Sequence, residues 1–198
     1  MNVIESKQDS SALAVIKRRR SIGQFTQDEP TRAQIEQLLE AATYAPNHYV
    51  TEPWHFFVLT GAAREQFGEI MATSLEARLN EQDSETLQLR LWRERQKPLR
   101  APVLITVATK VSLRQEELVI EDIEATAAAV QNMLLVAEEL GLGAIWRTGD
   151  AAYDPLVKRW FGLTPEDHIV AFVYVGFPVQ ARSMRVPTHF STKTTWLS

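Results

Sequence analysis

The chain has 198 residues, of which 45% are hydrophobic and none is cysteine, so disulfides, thiolate catalysis and thiolate-bound metal sites are excluded. Its formal net charge of -4 is spread along the sequence, which argues against a nucleic-acid-binding function. No apolar run reaches the roughly 20 residues of a membrane-spanning helix, and the N-terminus lacks a signal-peptide pattern, so we expect a soluble cytoplasmic protein.

The N-terminal part of the sequence predicts a flexible start and a short helix that ends in cations. Residues 1–10 are polar and are expected to be flexible. From Ser11 an amphipathic pattern leads directly into residues 17–21, KRRRS, here called the basic cluster. The cluster has two interpretations. It is either a solvated helix end that complements the helix dipole, or an anion site whose guanidiniums and hydroxyl suit a phosphate.

A second helix and a loop follow the basic cluster. Thr31 and Gln34 form a capping-box pattern that begins this helix, which ends near Thr43. Two prolines then predict a loop over residues 44–54, followed at once by a strand over residues 55–59. Because a core strand fixes the base of such a loop, the loop is a candidate carrier of binding groups.

The middle of the chain differs in character from the segments on either side. Residues 61–97 are rich in charge and only moderately apolar, and they predict two helices that cover the core. Residues 103–109, VLITVAT, predict a second buried strand.

A long apolar segment predicts the central helix of the fold. Residues 123–140 are apolar on nearly every side, with Asp122 as the expected N-cap and Gly141 as the residue that ends the helix. The short apolar run that follows predicts a core strand carrying Trp146 and Arg147 at its far end. We expect a ligand near that end.

The last third of the chain adds a short helix, a strand and a tail. Asp154 and Pro155 predict the start of the helix, which Gly162 closes, and residues 167–178 predict the longest strand. The tail, residues 179–198, has no hydrophobic period and is nevertheless apolar, which is typical of a segment laid against a partner subunit.

These elements predict a single α+β domain over residues 1–198, with a small sheet packed on helices. A Rossmann fold is disfavoured, since the glycine-rich segment at residues 141–143 follows a helix and opens a strand. The sequence contains neither a Walker motif nor a nucleophile elbow, and its four histidines are scattered, so we expect no metal site.

Three groups of residues together suit a phosphorylated, planar, polar aromatic ligand. The basic cluster suits the phosphate, the loop over residues 44–54 offers hydrogen bonds and aromatic surface, and residues 146–148 end a core strand. Because side chains for unaided catalysis are scarce, a bound cofactor would supply the chemistry and the protein would orient it.

The sequence resembles the nitroreductase family of FMN-dependent oxidoreductases, in its compact bacterial branch. The resemblance covers nearly all of residues 14–178 and keeps the family's order of segments. The segments that carry it are IKRRRSIGQF, LLEAATYAPNHYVTEPWHFFVL, APVLITVAT, AEELGLGAIWRTG and FG…IVAFVYVGFP.

The resemblance implies an α+β sandwich with a small mixed sheet flanked by helices, and an intertwined homodimer with FMN sites shared between chains. The cofactor-binding positions carried over from the family are Arg19, Arg20 and Ser21 for the phosphate and ribityl end, Tyr44 and His48 from the partner chain, and Trp146, Arg147 and Thr148 near the ring. The segment implied for NADH or NADPH contact is Val136, Ala137, Glu138, Glu139, Leu140 and Gly141. No protein side chain is expected to be catalytic, because FMN carries the chemistry.

The implied function is reduction of a small acceptor such as a nitroaromatic, quinone or enone by NAD(P)H through FMN, with ping-pong kinetics. Two alternatives stay open, a flavin-binding carrier or sensor with little turnover, and a nucleic-acid or scaffold module that uses the basic cluster. One departure from the family pattern lies in the loop before Pro-Trp, where the wider family often has Asn and Gln and this chain has Glu52 immediately before Pro53. Since a carboxylate would disfavour an anionic reduced flavin, we expect Glu52 to point away or to pair with an arginine.

Overall fold

A computed structural model describes residues 11–79, 84–111, 119–180, 183 and 185–198 of the chain. The α-helices in these ranges are α1 (Ala12–Arg18), α2 (Arg32–Thr43), α3 (Gly61–Arg78), α4 (Glu85–Gln96), α5 (Val119–Glu139) and α6 (Pro155–Trp160). The strands are β1 (Trp54–Leu59), β2 (Val103–Thr109), β3 (Gly143–Arg147) and β4 (His168–Gly176). The predicted flexible start, residues 1–10, lies outside the described residues.

The strands form one sheet in the order β1-β2-β4-β3, and each neighbouring pair is antiparallel. The sheet is therefore antiparallel and not mixed as the resemblance implied, and the one parallel contact described is an isolated bridge between Ser21 and Ala144. The strand bounds lie within two residues of the predicted ones, and those of β2 are identical. The α+β class predicted from the sequence is therefore confirmed.

Helices cover both faces of the sheet. On one face α2 and α5 pack against the inward side chains of β2 and β4, with Leu38, Val130 and Met133 completely buried. On the other face α3 and α6 enclose an aromatic core around Phe67 and Phe172. Helix α4 packs on α3, so the predicted pair of covering helices in residues 61–97 is present.

The central helix α5 ends as predicted but begins earlier. Gly141 has φ +71°, and the Leu142 amide donates to the Ala137 carbonyl at 2.8 Å, which closes the helix with a left-handed cap. The predicted N-cap at Asp122 is wrong, because the helix already includes Val119 and the Asp122 side chain is buried in the first turn. The extra turn begins with the apolar residues Val119 and Ile120 and ends with Glu121 and Asp122, so the predicted cap is a carboxylate that lies inside the first turn.

Two other helix starts follow the sequence signals. Thr31 and Gln34 form the capping box of α2 in both directions. The Asp154 carboxylate accepts from the amides of Leu156 and Val157 at the start of α6, while Pro155 occupies the first helical position.

The segment after α1 crosses the end of the sheet. Ile22 donates its amide to the Ala144 carbonyl at 3.0 Å, and Thr26 donates to Phe177 at 2.8 Å. A Cβ atom on Gly143 would lie 2.8 Å from Ile22 Cγ2, so glycine lets the crossing segment lie directly on β3. This packing holds the basic cluster beside the edge strand of the sheet.

The tail is mostly irregular and leaves apolar side chains in solvent. A 3-10 turn spans Phe190–Lys193, and Val186, Trp196 and Leu197 are each more than 80% exposed. None of the described helices combines the length and apolar content that a membrane crossing requires.

Candidate functional site

The three arginines of the basic cluster have different partners. Arg18 donates to Glu138 at 3.1 Å and to Glu139 at 3.3 Å, and it thereby ties the end of α1 to the last turn of α5. Its charge is matched by two carboxylates, so Arg18 is a structural cation.

Arg20 is held by main-chain carbonyls. Its Nε donates to Ser183 at 2.9 Å, and its Nη1 donates to Lys17 at 2.8 Å and to Arg19 at 2.6 Å. Its Nη2 is buried and has no acceptor among the described residues. The contact with Ser183 brings the start of the tail beside the basic cluster, and the exposed Arg185 follows two residues later.

Arg19 and Ser21 remain available to a ligand. Within the described residues, the half-buried Arg19 side chain makes no ion pair or hydrogen bond, and its amide caps α1 by donating to Val15. Ser21 is exposed, and its backbone is fixed by the bridge to Ala144. A free guanidinium next to an exposed hydroxyl on a fixed backbone suits an anion.

Strand β3 separates Trp146 from Arg147, because successive side chains of a strand point to opposite faces. Trp146 packs in the α5 layer and donates from Nε1 to the Val170 carbonyl at 3.0 Å, at the point where the β2–β4 register shifts. Arg147 points to the α3 side, and its Nη2 lies 3.6 Å from an ideal Cβ of Gly23. Arg147 thus lies beside the segment that follows the basic cluster.

Arg147 and Thr148 line a cavity of about 310 Å³ between the sheet and helices α3 and α4. Its other wall residues include side chains that the sequence reasoning did not select, namely Arg78, Glu94, Lys97, Arg100, Asp150, Phe172 and Tyr174. Of these, only Arg78, Glu94 and Lys97 belong to the charge-rich residues 61–97, and the other four carry no common sequence signal. Which of those charges face inward depends on how α3 and α4 pack.

The cavity holds paired and unpaired cations. Arg78 contacts Asp150 at 2.9 Å and Asp154 at 3.6 Å, and Lys97 contacts the buried Glu94 at 2.7 Å. Within the described part of the chain, the side chains of Arg100 and Arg147 make no ion pair or hydrogen bond. The cavity wall therefore carries uncompensated positive charge.

The loop over residues 44–54 is fixed to the other end of α5. His48 Nδ1 contacts Glu121, and the Thr51 hydroxyl donates to Asp122 at 2.8 Å. Asn47 accepts the Glu52 amide at 3.0 Å. These contacts hold the loop against the first turn of α5.

The same loop contains unusual backbone conformations and exposed side chains. Tyr49, Val50 and Glu52 have φ of +53°, +54° and +43°, in the left-handed region that a β-branched residue rarely adopts. Tyr44 and Tyr49 are 78% and 70% exposed. Glu52 is also exposed and has no arginine partner among the described residues, so the expected arginine pair is not formed within the described chain.

The site residues selected from the sequence therefore form two groups. Arg19, Arg20, Ser21 and Arg147 lie together at the edge strand, with Thr148 on the cavity wall. His48 lies at the N-terminus of α5, with Tyr44 in the same loop. The cavity lined by Arg147 and Thr148 and the one beside His48 share no lining residue.

The segment implied for nicotinamide contact forms the end of α5. Ala137 is fully buried, Glu138 and Glu139 pair with Arg18, and Gly141 and Leu142 form the helix cap. Only Glu139 and Gly141 of this segment are exposed.

Comparisons with known proteins point to one family. A model of the nitroreductase family matches residues 16–177. The Escherichia coli (strain K12) protein named "Putative NAD(P)H nitroreductase YdjA" is 32% identical over 185 residues, which cover 91% of this chain and 98% of that protein.

Solved structures share the fold. A nitroreductase-like family protein from Bacillus cereus superposes with a TM-score of 0.83 at 31% identity, covering 96% of this chain and 97% of that one. The FMN-dependent nitroreductase NfnB from Mycobacterium smegmatis, solved in complex with NADPH, has a TM-score of 0.72 at 19% identity, covering 94% and 97%.

Proposed function

Because this chain belongs to the nitroreductase family, we propose that it is an oxidoreductase that binds FMN and uses NADH or NADPH to reduce a small organic acceptor. The proposed acceptors are nitroaromatics, quinones and enones. In the proposed ping-pong cycle the nicotinamide donor binds and leaves before the acceptor binds. Bound FMN would accept hydride from the nicotinamide and pass the two electrons to the acceptor.

The observation that carries the proposal is the cavity wall formed by Arg147, Thr148 and Arg100. It combines aromatic surface from Phe172 with the guanidiniums of Arg100 and Arg147, which have no acidic partner among the described residues. A reduced flavin is anionic, so a cation at its ring edge stabilises the reduced form. We assign the ring of FMN to this cavity.

The phosphate of FMN is assigned to Arg19, Arg20 and Ser21. Arg19 offers a free guanidinium, and Ser21 offers an exposed hydroxyl on a backbone fixed by β3. Arg20 has a buried Nη2 that has no acceptor among the described residues. A phosphate oxygen would accept the hydrogen bond that this nitrogen can donate. Arg147 lies between this group and the cavity, so one elongated ligand could contact both.

A homodimer with shared sites is part of the proposal. His48 contacts the first turn of α5 and Arg18 its last turn, and this separation supports assigning the loop of Tyr44 and His48 to a different site from the basic cluster of the same chain. Their assigned role is to contact FMN bound to the partner. The exposed apolar tail supports an assembly in which Val186, Phe190 and Trp196 are covered by the second subunit.

Trp146 is assigned a supporting role, because its indole is fixed to Val170 in the layer behind the cavity. For the nicotinamide cofactor, the proposed contacts are Glu139 and Gly141, the exposed members of residues 136–141. Ala137 is fully buried, so it cannot contact the nicotinamide cofactor directly and can only support the end of α5.

A visible spectrum of the purified protein tests the proposal. We expect a yellow protein whose flavin absorbance is bleached by NAD(P)H under anaerobic conditions. A colourless protein that fails to take up added FMN would contradict it. Steady-state NAD(P)H oxidation with a nitroaromatic then separates an enzyme from a flavin carrier, for which the rate would be no greater than that of free FMN.

A further inference from the structure

Tyr174 is a buried polar residue on the floor of the cavity. It lies on β4 with only 4% of its surface exposed, two residues after Phe172 on the same face of the sheet. Within the described residues its hydroxyl makes no hydrogen bond, although it lines the cavity. A tyrosine hydroxyl that opens onto a cavity and has no partner among the described residues is available to a ligand atom in that cavity.

The surroundings of Tyr174 define the chemistry of that ligand atom. Burial raises the pKa of Tyr174, while the positive charges of Arg100 and Arg147 lower it and Glu94 raises it. The hydroxyl is therefore a neutral donor at ordinary pH, close to two guanidiniums that have no acid partner. Such a group is complementary to an oxygen that carries or gains negative charge.

We propose that Tyr174 is a further flavin-binding residue, whose hydroxyl donates a hydrogen bond to a ring oxygen that becomes negatively charged on reduction, while Arg100 and Arg147 supply the opposing charge. This inference rests on the proposed function and assigns a redox-tuning role to a residue that sequence reasoning treated as core. A hydrogen bond to a charged acceptor is stronger than one to a neutral acceptor, so Tyr174 stabilises the reduced flavin more than the oxidised one.

The test is the Tyr174→Phe variant of the full chain loaded with FMN. We expect the Kd for oxidised FMN to change by no more than about threefold, since only one hydrogen bond to a neutral acceptor is lost. The preference for reduced over oxidised flavin should fall about tenfold, which lowers the two-electron midpoint potential by about 30 mV. Flavin fluorescence quenching gives the Kd, and equilibration with a reference dye gives the potential.

Tyr153→Phe is the matched control, because Tyr153 is 74% exposed and does not line the cavity. It should leave both Kd and potential at the wild-type values. Arg100→Gln is a second variant at an exposed position, and it should also lower the potential. It keeps the proposal testable if Tyr174→Phe does not fold.

The outcomes separate this inference from the proposed function. If the wild-type protein binds no FMN, both fail together. If wild-type and variant proteins bind FMN and both Tyr174→Phe and Arg100→Gln keep the wild-type potential, the FMN assignment stands and the role of Tyr174 is wrong.

Discussion

Arg18 and His48 contact opposite ends of the same helix. Arg18 pairs with Glu138 and Glu139 in the last turn of α5, and His48 pairs with Glu121 in its first turn. At 1.5 Å per residue the two ends are separated by about 25 Å. One FMN cannot bridge that distance while lying in the cavity beside Arg147, so a site that uses both groups requires two chains.

Mixed dimers test whether the sites are shared. Arg19→Ala and His48→Ala should each weaken FMN binding, and a heterodimer with one variant chain of each kind should keep one unaltered site. The reason is that one shared site then contains both substituted residues, and the second site contains the unaltered Arg19 and His48. Titration of FMN into purified heterodimer should give one tight site per dimer. Two equally weakened sites would mean that each site belongs to one chain.

The arginines of the basic cluster should differ in their effects. Arg19→Ala is expected to weaken FMN binding at least about tenfold without loss of stability, because it removes a charge-assisted hydrogen bond worth roughly 1.5–3 kcal/mol. Arg18→Ala is the matched control. It should lower the free energy of unfolding by about 1 kcal/mol or less, as expected for a partly exposed ion pair, and leave the FMN affinity nearly unchanged. Fluorescence titration and urea unfolding measure the two effects, and equal losses of affinity would contradict the assignment.

Val50→Gly is expected to stabilise the protein. Val50 has φ +54° and is 80% exposed, so glycine relieves backbone strain without removing buried surface. Strain of this kind costs about 1–3 kcal/mol, and part of the gain is offset because glycine increases the entropy of the unfolded chain. Thermal unfolding should show a rise in Tm of roughly 2–4 °C per kcal/mol gained.

Val186→Gly serves as the control for this prediction, since Val186 is exposed in the tail and does not have a positive φ. It should give no gain in Tm. A Tm of Val50→Gly at or below the wild-type value would show that the loop is not strained.

Acid should destabilise the fold in part through His168. Burial, followed by the positive charge of Lys158, lowers the pKa of His168 from 6.5, while Asp167 raises it. The unfolded chain therefore binds this proton more readily than the folded chain, and stability is lost as the pH falls from 6.5 through the lower folded-state pKa. His168→Gln should reduce the slope of unfolding free energy against pH in that window, whereas His189→Gln in the exposed tail should not. Identical slopes for wild type and His168→Gln would contradict the prediction.

Gly143→Ala should disturb the contact between the crossing segment and β3. The added methyl would lie 2.8 Å from Ile22 Cγ2 and 2.9 Å from Ile22 Cβ, and overpacking of this kind typically costs about 1–3 kcal/mol. Because Ile22 follows Ser21, FMN affinity should also fall. In an Ile22→Ala background part of the clash is removed, so the penalty in unfolding free energy should be smaller. An equal penalty in both backgrounds would mean that the clash with Ile22 does not cause the loss of stability.

Local signals in the sequence were enough to predict the elements. The Thr31–Gln34 capping box, the Asp154–Pro155 start and the left-handed Gly141 each act over a few residues, and the structure has all three. The start of α5 was missed because Asp122, a residue type typical of an N-cap, lies inside the first turn and not before it. Helices and strands follow from residues that are neighbours in the chain, which is why the α+β class could be predicted.

The assembly of the site depended on contacts between residues far apart in the sequence. Trp146 and Arg147 are adjacent in the chain and yet lie on opposite faces of the sheet, and the neighbouring arginines 18–20 have three different environments. The cavity cations Arg78, Lys97 and Arg100 carried no motif, and only the packing of α3, α4 and the turn that follows α4 against the sheet brings them to one cavity with Arg147 and Tyr174. The sequence by itself determined the fold class, the family and the ligand chemistry, because these depend on residue type and local order. The tertiary structure decided which charges remain unpaired and which end of α5 each group occupies, because those depend on long-range packing.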